Sequence, residues 1–307
     1  MPPSVHGSSV AAPAQHLAIH HGAADLVRRS GGELAAWERE LRIFAGASLA
    51  LALIGLILWP LDARTIGGAP AWLKPIKFGI SNAIFAASLG WYLRWIPQPG
   101  DLARRAARVT VVVLTIENVL IALQAARGVR SHFNASTPFD AAVVSMMGIA
   151  ITTLMIVSVR VLVALCRTRF EDAAWKWIVR AGFAITLIGA SFGGIMTQPS
   201  AAQITTLRTT YAAPVIGGHT VGAPDGGPSM PVTGWSTTHG DLRVPHFAGL
   251  HAMQLLPLVF LALARGVASP RRRLWMARVV TISYAGLVLL LLVQALRGES
   301  VAALPLP

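Results

Sequence analysis

The chain has 307 residues, of which 54% are hydrophobic and only 13% charged, and a formal net charge of +13. Soluble domains average about 25% charged residues, so this composition excludes an ordinary water-soluble globule and points to a lipid bilayer as partner. The basic residues are dispersed between apolar runs, which argues against a nucleic acid partner. A single cysteine, Cys166, leaves no internal disulfide framework and no CxxC metal site.

Residues 1–36 mix Pro, Ser, Ala and Gly with His6, His16, His20 and His21, and lack the apolar core behind a basic start that marks a signal peptide. The His20–His21 pair has no third ligand in a fixed geometry. The segment therefore reads as a flexible cytoplasmic tail ahead of a membrane domain, 37–307. From Glu33 the pattern turns helical, with Leu34, Trp37 and Leu41 on one face, as an interfacial lead-in.

A hydrocarbon core of ~30 Å takes about 20 apolar helical residues. Seven stretches supply them: 43–61, 76–95, 109–127, 141–164, 178–197, 246–264 and 275–296. The fold class expected is an all-α integral membrane protein, a bundle of seven transmembrane helices. The fifth stretch is diluted by Gly182, Gly189, Gly193 and Gly194, but the Gly189/Gly193 spacing is the small-xxx-small pattern that lets helices approach closely.

Cytoplasmic connections carry the excess of Lys and Arg. With the N-terminus inside, the outer side holds Arg64, Lys74, Lys77, Arg127, Arg130, Arg208, Arg243 and Arg297, and the other 18 of the 26 basic residues lie inside. This predicts a cytoplasmic N-terminus and an extracytoplasmic C-terminus in a bacterial-type inner membrane.

That topology gathers the unusual polar residues at the outer end. Lys74 and Lys77 open the second span, where lysine opposes the helix macrodipole; with Ser81 and Ser88 they either snorkel to the interface or line a polar seam. Glu117 and Asn118 lie well inside the third span, followed by Gln124, Arg127, Arg130, His132 and Asn134. An intramembrane carboxylate is expensive unless protonated, paired or wet, which makes Glu117 a proton-relay candidate. The connection 198–244 is rich in Gly, Pro, Thr and Ser and reads as an extracytoplasmic loop, a candidate lid, with His219 and His239 within it.

The sixth span is expected to begin about Pro245, with Asp241 and Arg243 just outside and His246 in its first turn. His246 and His251, five apart, project ~140° from each other, so an HExxH-type zinc site is excluded. His251 and Gln254 share a face. Pro257 frees the carbonyl of Met253 and predicts a kink there.

Two functional readings follow. In the first, His251 and His132 ligate a b-type haem, with Gln254, Lys74, Lys77, Arg127, Arg130 and Arg243 around propionates or a quinone headgroup, or His246, His251, His132 and Asp241 hold a transition metal. In the second, Glu117 relays protons in a proton- or anion-linked transporter whose mouth is Lys74, Lys77 and Arg127. A structural or sensory membrane protein is the plain alternative to both. No lysine in the last span can carry a retinal Schiff base, and neither GxxxxGK[ST] nor GxSxG occurs.

Overall fold

The computed structural model describes residues 36–96, 100–210 and 213–303. The predicted tail with its four histidines, and the lead-in residues Glu33 and Leu34, lie outside the described residues. Nine helices organise what is described: α1 (Ala36–Leu58), α2 (Leu73–Leu93), α3 (Gly100–Ala126), α4 (Pro138–Arg167), α5 (Ala173–Met196), α6 (Ala201–Thr210), α7 (Arg243–Leu250), α8 (Ala252–Leu263) and α9 (Pro270–Leu296). The chain alternates direction through α1, α2, α3, α4, α5, the α7–α8 pair and α9. One end of the bundle therefore collects the connections 59–72, 127–137 and 197–242 with residues 297–303. The opposite end collects 168–172 and 264–269 with the start of α1.

Five helices are long and apolar enough to cross a membrane, and six if the α7–α8 pair counts as one broken span. Their outward faces carry the apolar residues that water would not tolerate, such as Ile43 and Ile57 on α1, Ile149 on α4 and Ile282 and Leu290 on α9. The second predicted span, α2, does not reach that hydropathy. It begins at Leu73, three residues before the predicted start, and so takes in both lysines. Much of its apolar surface turns inward, with Ala86, Leu89, Tyr92 and Leu93 almost fully buried, while Ile80 and Ile84 remain exposed. A helix that faces other helices can carry polar residues which a lipid-facing one cannot.

Close backbone approach sets the packing. A Cβ at Gly79 would meet the Ser48 carbonyl oxygen at 2.6 Å, fixing α2 against α1. A Cβ at Gly189 would sit 2.4 Å from Gly249 Cα, so α5 and α7 cross at two bare glycines. The predicted small-residue face thus packs against a helix.

The kink expected at Pro257 is located elsewhere. α7 and α8 meet at a 53° bend, and the break falls at His251, six residues before the proline. Helices of adjacent elements satisfy the backbone groups that the break and the proline release. The Thr186 hydroxyl accepts from Met253 N–H (3.0 Å) and donates to the Leu250 carbonyl (3.3 Å). Tyr284 donates to the Ala248 carbonyl at 2.5 Å. Tyr92 donates to the Met253 carbonyl at 3.1 Å, the very group that Pro257 cannot bond. Irregular backbone at membrane depth is tolerated where protein satisfies it, and here three side chains do so.

The connection 198–244 is more structured than a plain loop. It opens with α6 and closes with a two-residue antiparallel pair, Thr220–Val221 with Gly240–Asp241. It is pinned to its neighbours by Ala135 N–H to the Pro214 carbonyl (2.9 Å), Ile216 N–H to the Phe133 carbonyl (3.0 Å) and Ser300 Oγ to the Ser236 carbonyl (2.7 Å).

Candidate functional site

Three side chains from three parts of the chain meet at the loop-rich end. Lys74 projects from the first turn of α2, Glu117 lies nine residues before the end of α3, and His132 sits in the α3–α4 connection. Lys74 Nζ donates to His132 Nδ1 at 3.0 Å, and the Ser131 hydroxyl lies 3.1 Å from the same nitrogen. An ammonium has no lone pair, so Nδ1 accepts and the imidazole proton resides on Nε2. Nε2 then faces Glu117 Oε1 at 3.3 Å. One imidazole therefore bridges a cation to a carboxylate, with a donor and an acceptor side already assigned.

The backbone makes this possible at a cost. Phe133 adopts φ of 62°, a left-handed conformation unusual for a bulky residue, and its carbonyl and that of Pro214 tie the turn to the outer connection. The Phe78 ring lies 5.9 Å from the His132 ring and 5.6 Å from Lys74 Nζ, supplying an apolar wall. Burial, and next the positive charge of Lys74, hold the His132 imidazole below its ordinary pKa, against the opposing pull of Glu117. The imidazole is thereby held towards its neutral form.

Glu117 is 3% exposed, and its second oxygen, Oε2, is buried with no hydrogen-bond partner. Its neighbour Asn118 is satisfied, accepting from Asn82 Nδ2 at 2.8 Å and donating to Ser48 Oγ at 3.1 Å across α1, α2 and α3. A buried carboxylate oxygen left open costs far more than a hydrogen bond recovers. A hydrogen-bond donor brought to Oε2 removes that cost.

Further cations surround the triad. Lys74 lies within electrostatic reach of Lys77, Arg130 and Arg243 as well as Glu117. Lys77 donates to the Thr233 carbonyl at 3.1 Å, and Arg243 donates to the Gly234 carbonyl and pairs with Asp241 at 2.6 Å. Arg243 lies inside the first turn of α7, because the helix starts two residues earlier than Pro245. Burial alone would raise the Asp241 carboxyl, but hydrogen bonding and charge from Arg243 hold it below its ordinary value. Beside them His219 Nδ1 lies 3.2 Å from Asp225; burial, and after it the charge of Arg243, push the His219 imidazole down to about 4.

The remaining predicted residues are placed apart from this triad. Arg127 is paired with Asp140 at 2.6 Å and bonded to Gln124, whose Nε2 also donates to Asp140 at 2.9 Å. His246 Nδ1 lies 2.8 Å from the Gly189 carbonyl and so carries the donated proton. His251 stands at the break between α7 and α8, 4.3 Å from the Phe247 ring. Gln254 donates to Ser88 Oγ at 2.8 Å, tying α8 to α2, and leaves its own Oε1 buried without a partner. These contacts give haem ligation no support, since both His132 nitrogens already have partners. Among the described residues no group of three or more His, Cys, Asp or Glu is arranged to hold a metal ion.

Asp140, Thr186, Tyr92 and Tyr284 were not singled out by sequence reasoning. Asp140 opens α4 as an ordinary first-turn acid, and a hydroxyl in an apolar helix carries no signal of its partner. Only the Met253 carbonyl, four residues before Pro257, announced that it needed a donor.

The class of protein these features define is a helical multi-pass membrane protein with a polar cluster at one end. No protein-family model matches this chain, no curated protein matches it, and no solved structure does.

Proposed function

We propose that this chain is a proton-linked membrane transporter in which Lys74, His132 and Glu117 form the proton relay. The observation that carries the reading is the buried Glu117 carboxyl, one oxygen on His132 and the other without a partner. Intramembrane acids of this kind mark ion pathways and proton relays. A proton enters at His132, which is 31% exposed. Nδ1 receives it from Lys74 or water while Nε2 releases its own to Glu117, and a ring flip or back-transfer resets the imidazole. Release of the proton from Glu117 to the other side completes a cycle.

In this reading α2 and the broken α7–α8 pair also cross the bilayer, giving seven spans with the N-terminus in the cytoplasm of a bacterial-type cell and the polar cluster outside. The 18 to 8 distribution of basic residues supports that orientation. The single cysteine tests it. Cys166 is exposed near the end of α4, and an impermeant maleimide applied to intact cells should leave it unlabelled, whereas Ser229→Cys in a Cys166→Ala background should react.

Transport is tested in proteoliposomes carrying an internal pH dye. An imposed pH gradient should collapse faster through wild-type protein than through Glu117→Gln. Equal rates for the two, or a purified protein with a haem spectrum that His132→Ala abolishes, would overturn the relay.

A further inference from the structure

We infer that the cations around the relay form a binding site for a small soluble oxyanion, carboxylate or phosphate, which is loaded together with one proton on Glu117. The inference rests on the relay reading for its proton and on separate geometry for its anion. Lys74, Lys77 and Arg130 are half-buried, and none of them forms an ion pair among the described residues. Arg243 does, with Asp241, and adds no net charge. With His132 neutral, three basic side chains without an ion-pair partner thus stand around the single carboxylate of Glu117 in a partly dehydrated site.

Backbone carbonyls reach two of the four basic side chains. The carbonyls of Thr233 and Gly234 accept from Lys77 and Arg243 respectively. The Arg130 guanidinium has no acceptor among the described residues; it lies between the first and third outer connections, where a Cβ at Gly67 would come within 3.5 Å of Nε and one at Gly226 within 3.7 Å of Nη2. Both carbonyls belong to one tight turn, closed by Met230 N–H to the Trp235 carbonyl (2.8 Å) and Gly234 N–H to the Met230 carbonyl (3.0 Å). That turn holds Val232 at φ 65° and Gly234 at φ 68°, a conformation a β-branched residue adopts only when its surroundings compel it.

Two neighbouring carbonyl oxygens on two cations imitate the paired oxygens of a carboxylate or phosphate, which bind such cations more strongly than neutral amides do. The turn is thus the occupant of an oxyanion site, displaced when the anion arrives. Helix α2 begins without a side-chain cap, which leaves its first-turn dipole positive at this end of the bundle, whereas the first N–H of α7 is held by the Asp241 carboxylate at 3.0 Å. The open oxygen of Glu117 is the second, independent sign of a ligand: the deprotonated acid repels the anion, and the protonated acid both removes that repulsion and presents a donor. The charged and titratable groups around Glu117 are His132 from the α3–α4 connection, Lys74 and Lys77 from α2, Arg130, and Arg243 with Asp241 at the start of α7. His246 lies beyond His132.

The test is isothermal titration of the detergent-purified full chain with sodium phosphate and with sodium succinate, at constant ionic strength against sodium chloride, with a pH dye reporting protons. Saturable binding of one of them with about one proton taken up is expected near neutral pH. Trp235 ends the turn and contacts Phe247 at 5.5 Å, so its fluorescence should change with occupancy. Lys77→Gln and Arg130→Gln should each weaken binding about tenfold, or 1.4 kcal/mol. Arg208→Gln, an exposed basic residue of α6, should leave it unchanged, and Glu117→Gln should bind the anion with no proton uptake. Binding no stronger than chloride in a protein that still carries protons would overturn the oxyanion site and leave the relay standing. Binding only to phosphatidylglycerol vesicles would overturn it in favour of a lipid headgroup. Proton-coupled anion binding in a protein that moves no protons across a bilayer would support the site and remove transport.

Discussion

Two polar networks hang from the same helix within ten residues of each other, and they are built to opposite ends. At Gln124, Arg127 and Asp140 every buried group has a partner. Asp140 is 3% exposed and accepts from Gln124, from Arg127 and from the Thr137 hydroxyl, while Arg127 also lies 4.7 Å from the centroid of the Phe139 ring. At Glu117, His132 and Lys74 one carboxylate oxygen is open and the nearby cations outnumber the acids. A closed network fastens α3 to α4; an open one is poised to take up something. The contrast separates a network whose buried groups are all satisfied from one that leaves a carboxylate oxygen open, a difference that exposure and spacing alone do not show.

The sharpest way to break this comparison is to neutralise each acid in turn. Glu117→Gln should bring proton flux in proteoliposomes down to the protein-free baseline while leaving the melting temperature unchanged or raised, because a buried charge is lost and no satisfied bond is broken. Asp140→Ala should do the reverse, lowering the melting temperature and the yield of folded protein while flux per folded molecule persists. If both variants lose stability alike, the two networks are of one kind.

A smaller effect is expected at the bridge. His132→Ala should slow flux about tenfold, equivalent to ~1.4 kcal/mol on the barrier, and added imidazole should restore part of it. Restoration is the informative readout, since a merely structural histidine would show none.

The broken span offers a closed network of backbone groups and a milder test. Tyr92→Phe leaves the Met253 carbonyl buried and unpaired, which should cost about 1–3 kcal/mol in denaturant titration. In a Pro257→Ala background the helix can supply its own N–H, so the same change should cost less. Equal penalties in both backgrounds would show that the tyrosine holds something other than the carbonyl freed by proline.

The smallest effect is local and concerns pH. His219 has a folded pKa of about 4 against an ordinary 6.5. A depressed value means that its contribution is complete above 6.5 and is lost as pH falls towards 4. Protection factors for amide exchange across residues 213–225, corrected for the intrinsic rate, should therefore fall between pH 6.5 and 4, with Asp225, Asp241, Arg243 and Lys74 the charges that face the ring. Unchanged exchange over that window would mean the imidazole takes its proton without disturbing the connection.

Hydropathy along the chain was enough to read the helices, because lipid-facing segments must be apolar whatever their neighbours. It fell short for α2, whose hydropathy is diluted by residues that face other helices, and for α6, which lies in the stretch read as a loop. Glu117, Lys74 and His132 were each conspicuous in sequence as polar residues where apolar ones belong, but 58 residues separate Lys74 from His132 and nothing local joins them. The sequence also grouped Arg127 with the candidate site, since a charge reveals its position and not its partner; Asp140, from the next helix, claims it.

The site of the bend makes the same point. Pro257 withdraws a hydrogen bond by its own covalent structure, so the orphaned Met253 carbonyl was determined by sequence alone. Where the helix yields was decided by the tertiary structure: Gly189 against Gly249 brings α5 close enough for Thr186 to satisfy the broken turn at His251, and the chain bends where its backbone groups find new partners. Covalent geometry and the solvent preference of single residues are local and legible, whereas the pairing of polar groups depends on which helices the fold makes neighbours.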